Sequence, residues 1–135
     1  MKLIIDARDT IAGRLGSYVA KELLKGKEVV IINSEKAIIS GSSQEIVERT
    51  KILIKKGGSS LKGPKIPRVS DRFLKRMMRG MLPWDRARGR QAWKRLRCYI
   101  GDTNIKIEPS NKIIKLENKK PMKYITIERL IELIK

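Results

Sequence analysis

Apolar residues run along this chain in two rhythms. Leu3-Ile4-Ile5 and Val29-Val30-Ile31-Ile32 are short unbroken apolar runs, as expected of strands buried on both faces of a parallel sheet. Between them the spacing turns helical. Ile11, Ala12, Leu15, Val19 and Leu23 fall on one face, and Arg14, Lys21 and Lys25 on another. Asp9 or Thr10 is the expected N-cap, and Gly26 the expected stop. Strand, helix and strand together predict a parallel βαβ unit. Ala37–Ser40 predicts a third short strand. Ser42 or Ser43 then opens a helix to about Lys56, with Ile46, Val47, Thr50, Leu53 and Ile54 turned inward.

From residue 61 the pattern changes. Gly63, Pro64 and Pro67 predict an extended loop over 61–69. Ser70 then caps a predicted helix over Asp71–Leu82. At helical spacing Arg72, Lys75, Arg76 and Arg79 lie within an arc of about 100°, opposite Phe73, Leu74, Met77, Met78 and Met81. Pro83 ends that helix. A second basic helix is predicted from Arg86 to about Arg97, with Arg86, Arg90, Lys94 and Arg97 in one stripe. Ala92, Trp93 and Leu96 form its apolar edge, while Arg88 and Arg95 point elsewhere. Cys98-Tyr99-Ile100 reads as a strand closed by Gly101. Residues 102–123 show only the apolar pairs Ile105/Ile107 and Ile113/Ile114 among polar residues and two prolines. Thr126 caps a last helix, Ile127–Ile134.

Charge sharpens this picture. The chain has 135 residues, 32 Lys and Arg against 14 Asp and Glu, and a net charge of +18. Residues 61–99 hold 13 of the bases and only two acids, Asp71 and Asp85, a net +11. Nine of the 13 arginines lie there, but only one of the 20 isoleucines. Flanks of α/β character thus enclose an arginine-rich insert. Such an excess of one sign calls for a polyanionic partner. Guanidinium groups fork onto phosphate and stack on bases, which favours nucleic acid over a membrane surface. A merely solvated helix face would mix signs for i,i+4 pairing, and this one does not.

The remaining motifs carry less. The chain has no histidine and one cysteine, which removes imidazole catalysis, histidine-ligated zinc and an internal disulfide. Gly13-Arg14-Leu15-Gly16-Ser17 follows a strand, where phosphate loops occur. It matches neither the dinucleotide fingerprint nor the P-loop, and close helix packing explains the glycines better. Cys98 reads as a buried structural thiol, and Asp6 as a turn or cap residue. Among the aromatics Trp84, after Pro83, is the best candidate to stack on an unpaired base; Trp93 and Tyr99 read as packing. No stretch of about 18 apolar residues exists to span a bilayer. Asp6 interrupts any early apolar segment, so a cytoplasmic location is expected.

Gly63-Pro64, Arg68, Arg72, Arg76, Arg79-Gly80-Met81-Leu82-Pro83, Arg88-Gly89, Ala92, Arg95-Leu96, Tyr99 and Gly101 together resemble the universal large-subunit ribosomal protein L-thirteen family. Asp6-Ala7, Gly13-Arg14-Leu15, Ala20-Lys21, Leu23-Leu24, Gly26, Val29-Val30 and Ser40-Gly41 agree, so the resemblance covers about residues 2–101. The spacing from Gly-Pro to Arg-Gly-Met-Leu-Pro is similar to the archaeal and eukaryotic branch. This chain departs from it at Arg68-Val69-Ser70-Asp71-Arg72 and at Asp102-Thr103-Asn104-Ile105.

The resemblance implies a three-layer α/β/α fold with a four-stranded parallel sheet. It also implies a structural, non-enzymatic role on rRNA in the large subunit, early in assembly. The expectation is one domain over 1–135, with an α/β core at about 1–58 and 98–135 and the basic loop and helix pair at about 59–97. RNA-binding residues are expected to be Lys55, Lys56, Lys62, Lys65, Arg68, Arg72, Lys75, Arg76, Arg79, Trp84, Arg86, Arg88, Arg90, Lys94, Arg95 and Arg97. Expected partners are large-subunit rRNA and neighbouring ribosomal proteins around a monomer, with no membrane, small-molecule substrate, metal or cofactor. The competing readings are a nucleotide-dependent or RNA-modifying enzyme using the first βα turn, and an architectural DNA-binding protein.

Overall fold

The two apolar runs become the middle of a parallel sheet. A computed structural model describes residues 2–55, 67–101, 113–116 and 119–134. In it β1 (Lys2–Asp6) lies beside β2 (Glu28–Ile32), with Ile4 opposite Val30 and Ile5 opposite Ile31. The helix between them, α1 (Ala12–Leu24), buries Leu15, Val19 and Leu23 on the predicted face. It stops at Gly26, whose φ of 93° suits a residue without a Cβ. Its start differs from expectation. Ile11 holds the N-cap position without a side-chain cap. Asp9 turns through φ 57°, and the Thr10 hydroxyl donates to the Arg8 carbonyl at 3.2 Å. The Thr10 carbonyl accepts Ile38 N–H at 3.0 Å, so this residue is tied to the chain beyond β2 instead of capping.

β4 (Leu96–Cys98) and β5 (Ile113–Lys115) complete the four-stranded parallel sheet, ordered β4-β2-β1-β5. The predicted third strand is β3 (Ile38–Ser40), but it stands outside that sheet. It pairs antiparallel with β6 (Tyr124–Thr126). α2 (Ser43–Lys55) buries Ile46 and Thr50, whereas Leu53 is exposed at the flank of its apolar arc. α5 (Ile127–Ile134) starts as predicted, with Arg129 N–H donating to the Thr126 hydroxyl at 3.2 Å.

The arginine-rich helices are α3 (Ser70–Arg79) and α4 (Ala87–Lys94). They share the main core. Phe73, Leu74, Met78, Leu82, Ala92 and Leu96 join Ile5, Leu15, Val19, Val29 and Ile31 in one apolar cluster, together with α5 residues Ile127, Leu130 and Ile131. On the opposite sheet face Ile4, Val30 and Ile32 pack with Tyr99. The basic segment is therefore mounted rigidly: displacing it would expose core side chains, each worth about 1.5–3 kcal/mol when buried.

The second basic helix is shorter than predicted. It ends at Lys94, and the strand expected over 98–100 begins at Leu96. Leu96 pairs with Val29 and is fully buried on the helix side of the sheet. That slot sets the register and cuts the helix. Arg97 then pairs with Val30 and projects on the other face of the sheet, out of the helical stripe assigned to it.

Candidate nucleic-acid interface

α3 owes its position to its apolar side. Phe73, Leu74 and Met78 are buried, and Phe73 N–H bonds the Val69 carbonyl at 2.8 Å to start the helix. Ser70, expected as the cap, is the first helical residue; Val69 precedes it without a side-chain cap. Gly80 closes the helix. Leu82 N–H bonds the Arg79 carbonyl at 3.2 Å, and Trp84 N–H bonds the Leu82 carbonyl at 2.8 Å. The Pro83 carbonyl accepts Arg86 N–H at 3.0 Å, which leads the chain into α4.

Gly89 sets how closely these pieces approach, while Gly16 packs beneath the tip of a methionine. A Cβ on Gly89 would collide with the backbone of Pro83. Only glycine lets α4 sit against the turn that carries Trp84. A Cβ on Gly16 would come 2.5 Å from the Met81 sulfur and 3.5 Å from Met78 Cγ. The glycine pair after the first strand thus serves packing at Gly16, as expected, and nothing crowds Gly13.

The turn and the two helices enclose a cleft of about 440 Å³, lined by Pro67, Arg72, Lys75, Arg76, Arg79, Trp84 and Trp93. Its wall is largely apolar although four cations surround it. The indoles of Trp84 and Trp93 meet edge to face, with centroids 5.3 Å apart and planes at 85°. Arg79 places its guanidinium carbon 4.1 Å from the Trp84 ring centre. Lys75 places Nζ 4.1 Å from that of Trp93. Trp93 Nε1–H donates to the Lys75 carbonyl at 3.4 Å and ties α4 to α3. A second depression of about 360 Å³ adjoins the same two indoles on the α4 side, flanked by Arg90 and Lys94.

Among the described residues these cations form no ion pair with an acid; ion pairs form at Glu22 with Lys25 and Lys27, at Asp9 with Lys120, and between Arg129 and Glu132, and none on α3 or α4. Burial holds the Lys75 ammonium below the ordinary lysine range, and the Arg97 charge pulls the same way. An anion entering the cleft would oppose both effects by favouring the charged ammonium.

The expected binding residues fall into four groups. Arg72, Lys75, Arg76, Arg79 and Trp84 converge on the cleft, and Arg90 and Lys94 flank its α4 side. Arg68, Arg86 and Arg88 are exposed beside it in the chain; Lys55 is exposed at the end of α2, which packs on α5. Arg97 and Arg95 are placed differently. Arg97 sits on the sheet edge near Lys75. Arg95 donates to the Leu23 carbonyl at 2.6 Å, clamping the end of α4 to the last turn of α1. Lys56, Lys62 and Lys65 lie outside the described residues. Trp93 was expected only to pack. It does so, but it also forms one wall of the cleft. The signal was a second tryptophan nine residues after the first, again among bases.

Catalytic chemistry finds little here. Burial pushes the Cys98 thiol up to about 12, so it stays protonated. Asp6 accepts Arg8 N–H at 2.9 Å and the Asn33 side-chain amide at 3.0 Å, a turn role. Among the described residues no cluster of His, Cys, Asp or Glu could hold a metal, and no helix is long and apolar enough to cross a membrane.

Comparison with known proteins finds a family for this chain. The family model described as "Ribosomal protein L13" matches residues 1–104. Among the relatives, each described as "Large ribosomal subunit protein uL13", that of Methanopyrus kandleri is 50% identical over 98 residues, 73% of this chain and 61% of its own. That of Archaeoglobus fulgidus is 48% identical over 98 residues, 73% of this chain and 62% of its own. The match thus spans about three fifths of those two relatives. The Thermoplasma volcanium protein is 39% identical over 128 residues, 94% of this chain and 93% of its own. All three organisms are archaea, in accord with the branch indicated by the motif spacing.

Proposed function

The chain belongs to the ribosomal protein L13 family, and from that premise we propose that it is a structural component of the large ribosomal subunit that binds and organises folded rRNA through the α3–α4 face. Its work is binding, not catalysis, and its setting is the cytoplasmic ribosome. The observation that carries the reading is the cation cluster of Arg72, Lys75, Arg76 and Arg79, which forms no ion pair among the described residues and is held on a helix whose other side is locked into the core. Arg90 and Lys94 extend it across α4, and Arg68, Arg86 and Arg88 widen it. Lys55, Lys56, Lys62 and Lys65 would supply further contacts on the approach to α3. Arg95 we assign to the fold, because its guanidinium is already bonded to Leu23.

The mechanism is electrostatic and geometric. Each phosphate neutralised releases condensed counterions, which drives much of the affinity. A-form RNA hides its major groove, so recognition follows backbone shape and unpaired bases. A rigid face that touches separated rRNA segments stabilises the compact RNA over the open one, because it binds only the former. The family resemblance further implies an early part in assembly, as a monomer among neighbouring large-subunit proteins.

The test is a salt titration of binding to large-subunit rRNA, with duplex DNA and unstructured RNA as competitors. We expect an rRNA complex that survives physiological salt while the competitors are displaced. Reversal of Arg72 and Arg76 together should lower the salt slope by roughly 1.5, since each contact adds about 0.7–0.9. Reversal of Arg14 and Lys21 on α1 should matter less. Equal affinity for all three nucleic acids, collapsing together as salt rises, would reduce the protein to a non-specific polycation.

A further inference from the structure

The geometry points to the cleft between α3, the Pro83 turn and α4 as a receptor for one unstacked RNA nucleotide, its base on the Trp84 indole and its phosphates on Arg72 and Arg76. This rests on the rRNA-binding reading and adds to it the class of RNA feature that is recognised. Three observations lead there. First, a cleft of about 440 Å³ falls in the range of pockets that hold a single small ligand, about 300–1,000 Å³. A duplex cannot enter it; one extruded nucleotide can. Second, the cleft joins opposite chemistries, with a largely apolar wall of Trp84 and Trp93 under a rim of Arg72, Lys75, Arg76 and Arg79. A nucleotide has the matching pair, a flat weakly polar base and an anionic phosphate. An acidic peptide would satisfy the rim but leave the indole wall unused.

Third, the indole face is already occupied from the cleft side. The Arg79 guanidinium lies 4.1 Å from the Trp84 ring centre. A base either takes that place, releasing Arg79 to a phosphate, or stacks beyond the guanidinium plane. Both arrangements are known modes of single-strand recognition. Base stacking on an indole is worth more than one exposed cation–π contact, so the exchange is favourable. The edge-to-face contact with Trp93, itself anchored to the Lys75 carbonyl, holds Trp84 in place before RNA arrives. A platform already set in place loses less entropy on binding than a mobile ring.

The full chain suits a direct test, because its two tryptophans are the two that wall this cleft. Their emission therefore reports on it and on the depression that adjoins the same indoles. Three RNA hairpins share one stem: the first has a single bulged adenosine, the second an abasic residue in its place, the third no bulge. At physiological salt the protein should bind the bulged adenosine about 5- to 150-fold more tightly than the abasic hairpin, the span of one stacked base. Tryptophan emission should fall with that hairpin and not with the others. In Trp93→Phe, where Trp84 is the sole tryptophan, the fall should persist. Trp84→Ala should bring the preference within twofold of unity, and Trp84→Phe should keep most of it. Should Trp84→Ala melt early, the phenylalanine variant and the abasic comparison on the wild type still decide.

Equal binding of all three hairpins with unchanged emission, beside an rRNA complex that still survives physiological salt, would overturn the nucleotide receptor and leave the rRNA reading standing. A bulge preference that persists in folded Trp84→Ala would overturn it as well, by placing the base elsewhere. Failure to bind large-subunit rRNA at all would overturn both.

Discussion

Gly89→Ala should damage this protein far more than a methyl group suggests. Gly89 is buried on the inner side of α4, where a Cβ would collide with the Pro83 backbone. In an open helix the change would help by about 1 kcal/mol, the propensity gap between glycine and alanine. Overpacking costs about 1–3 kcal/mol, and the upper end applies because a backbone obstacle cannot rotate aside. The net loss is then about 2 kcal/mol. For a domain of this size each kcal/mol moves the melting temperature by about 3–5 °C, so a drop of roughly 6–10 °C is expected. Relief requires α4 to lift from the turn, which would also shift Trp84 and the cleft. Gly80→Ala is the contrast. Its φ of −67° suits alanine, and its added Cβ would come no nearer than 3.8 Å to the Met77 carbonyl. That change should be neutral or stabilising by about 0.4–1 kcal/mol. Thermal unfolding followed by circular dichroism measures both. Gly89→Ala melting at or above wild type, or Gly80→Ala falling as far, would refute this account of the α4 approach.

Other outcomes follow from single contacts. Arg95→Met should lose about 1.5–3 kcal/mol in denaturant unfolding, the worth of a charged hydrogen bond to the Leu23 carbonyl, yet leave the rRNA salt slope unchanged; a flattened slope would return Arg95 to the RNA face. The Glu22 carboxyl is held below its ordinary range, chiefly by the hydrogen bond from Lys27 at 2.7 Å. A depressed folded pKa adds stability above the unfolded value of about 4.3 and loses it as pH falls through the folded one. Glu22→Gln should therefore melt below wild type at pH 7, with the gap closing toward pH 3; a constant gap would exclude this linkage. With its thiol at about 12, Cys98 should react with a disulfide reagent at pH 8 about a hundredfold or more slower than in the urea-unfolded chain. Equal rates would show that the thiol is not held protonated.

Strands β1 to β3, the helices and the basic face were legible because each rests on local periodicity, whereas β5 and β6 are three-residue strands too short to show any. Ile4-Ile5 and Val30-Ile31 are apolar without a break, so they required cover on both faces. Bases at 72, 75, 76 and 79 required a helix face whatever the surroundings. Misplaced boundaries fell where a distant partner overrode local preference. Leu96 fills the slot opposite Val29, so helix became strand and Arg97 left its stripe. The Thr10 carbonyl accepts a bond from Ile38 N–H, and its side chain does not cap the helix. β3 has a strand's composition, but only β6, more than 80 residues later, makes it antiparallel and sets it apart from the main sheet.

The sequence by itself determined that this chain is a basic α/β protein with a cationic helix face, because charge and hydrophobic period are properties of neighbours in the chain. Only the tertiary structure decided which bases serve that face. Arg72 and Arg95 look alike in the sequence, but one lines a cleft and the other clamps Leu23, 72 residues away. It also decided that the two tryptophans stand together with Arg79 and Lys75 on their rings. That meeting depends on how closely α4 approaches the Pro83 turn. The approach is set by a missing Cβ at Gly89, and its consequence appears only when two distant backbones are brought into contact.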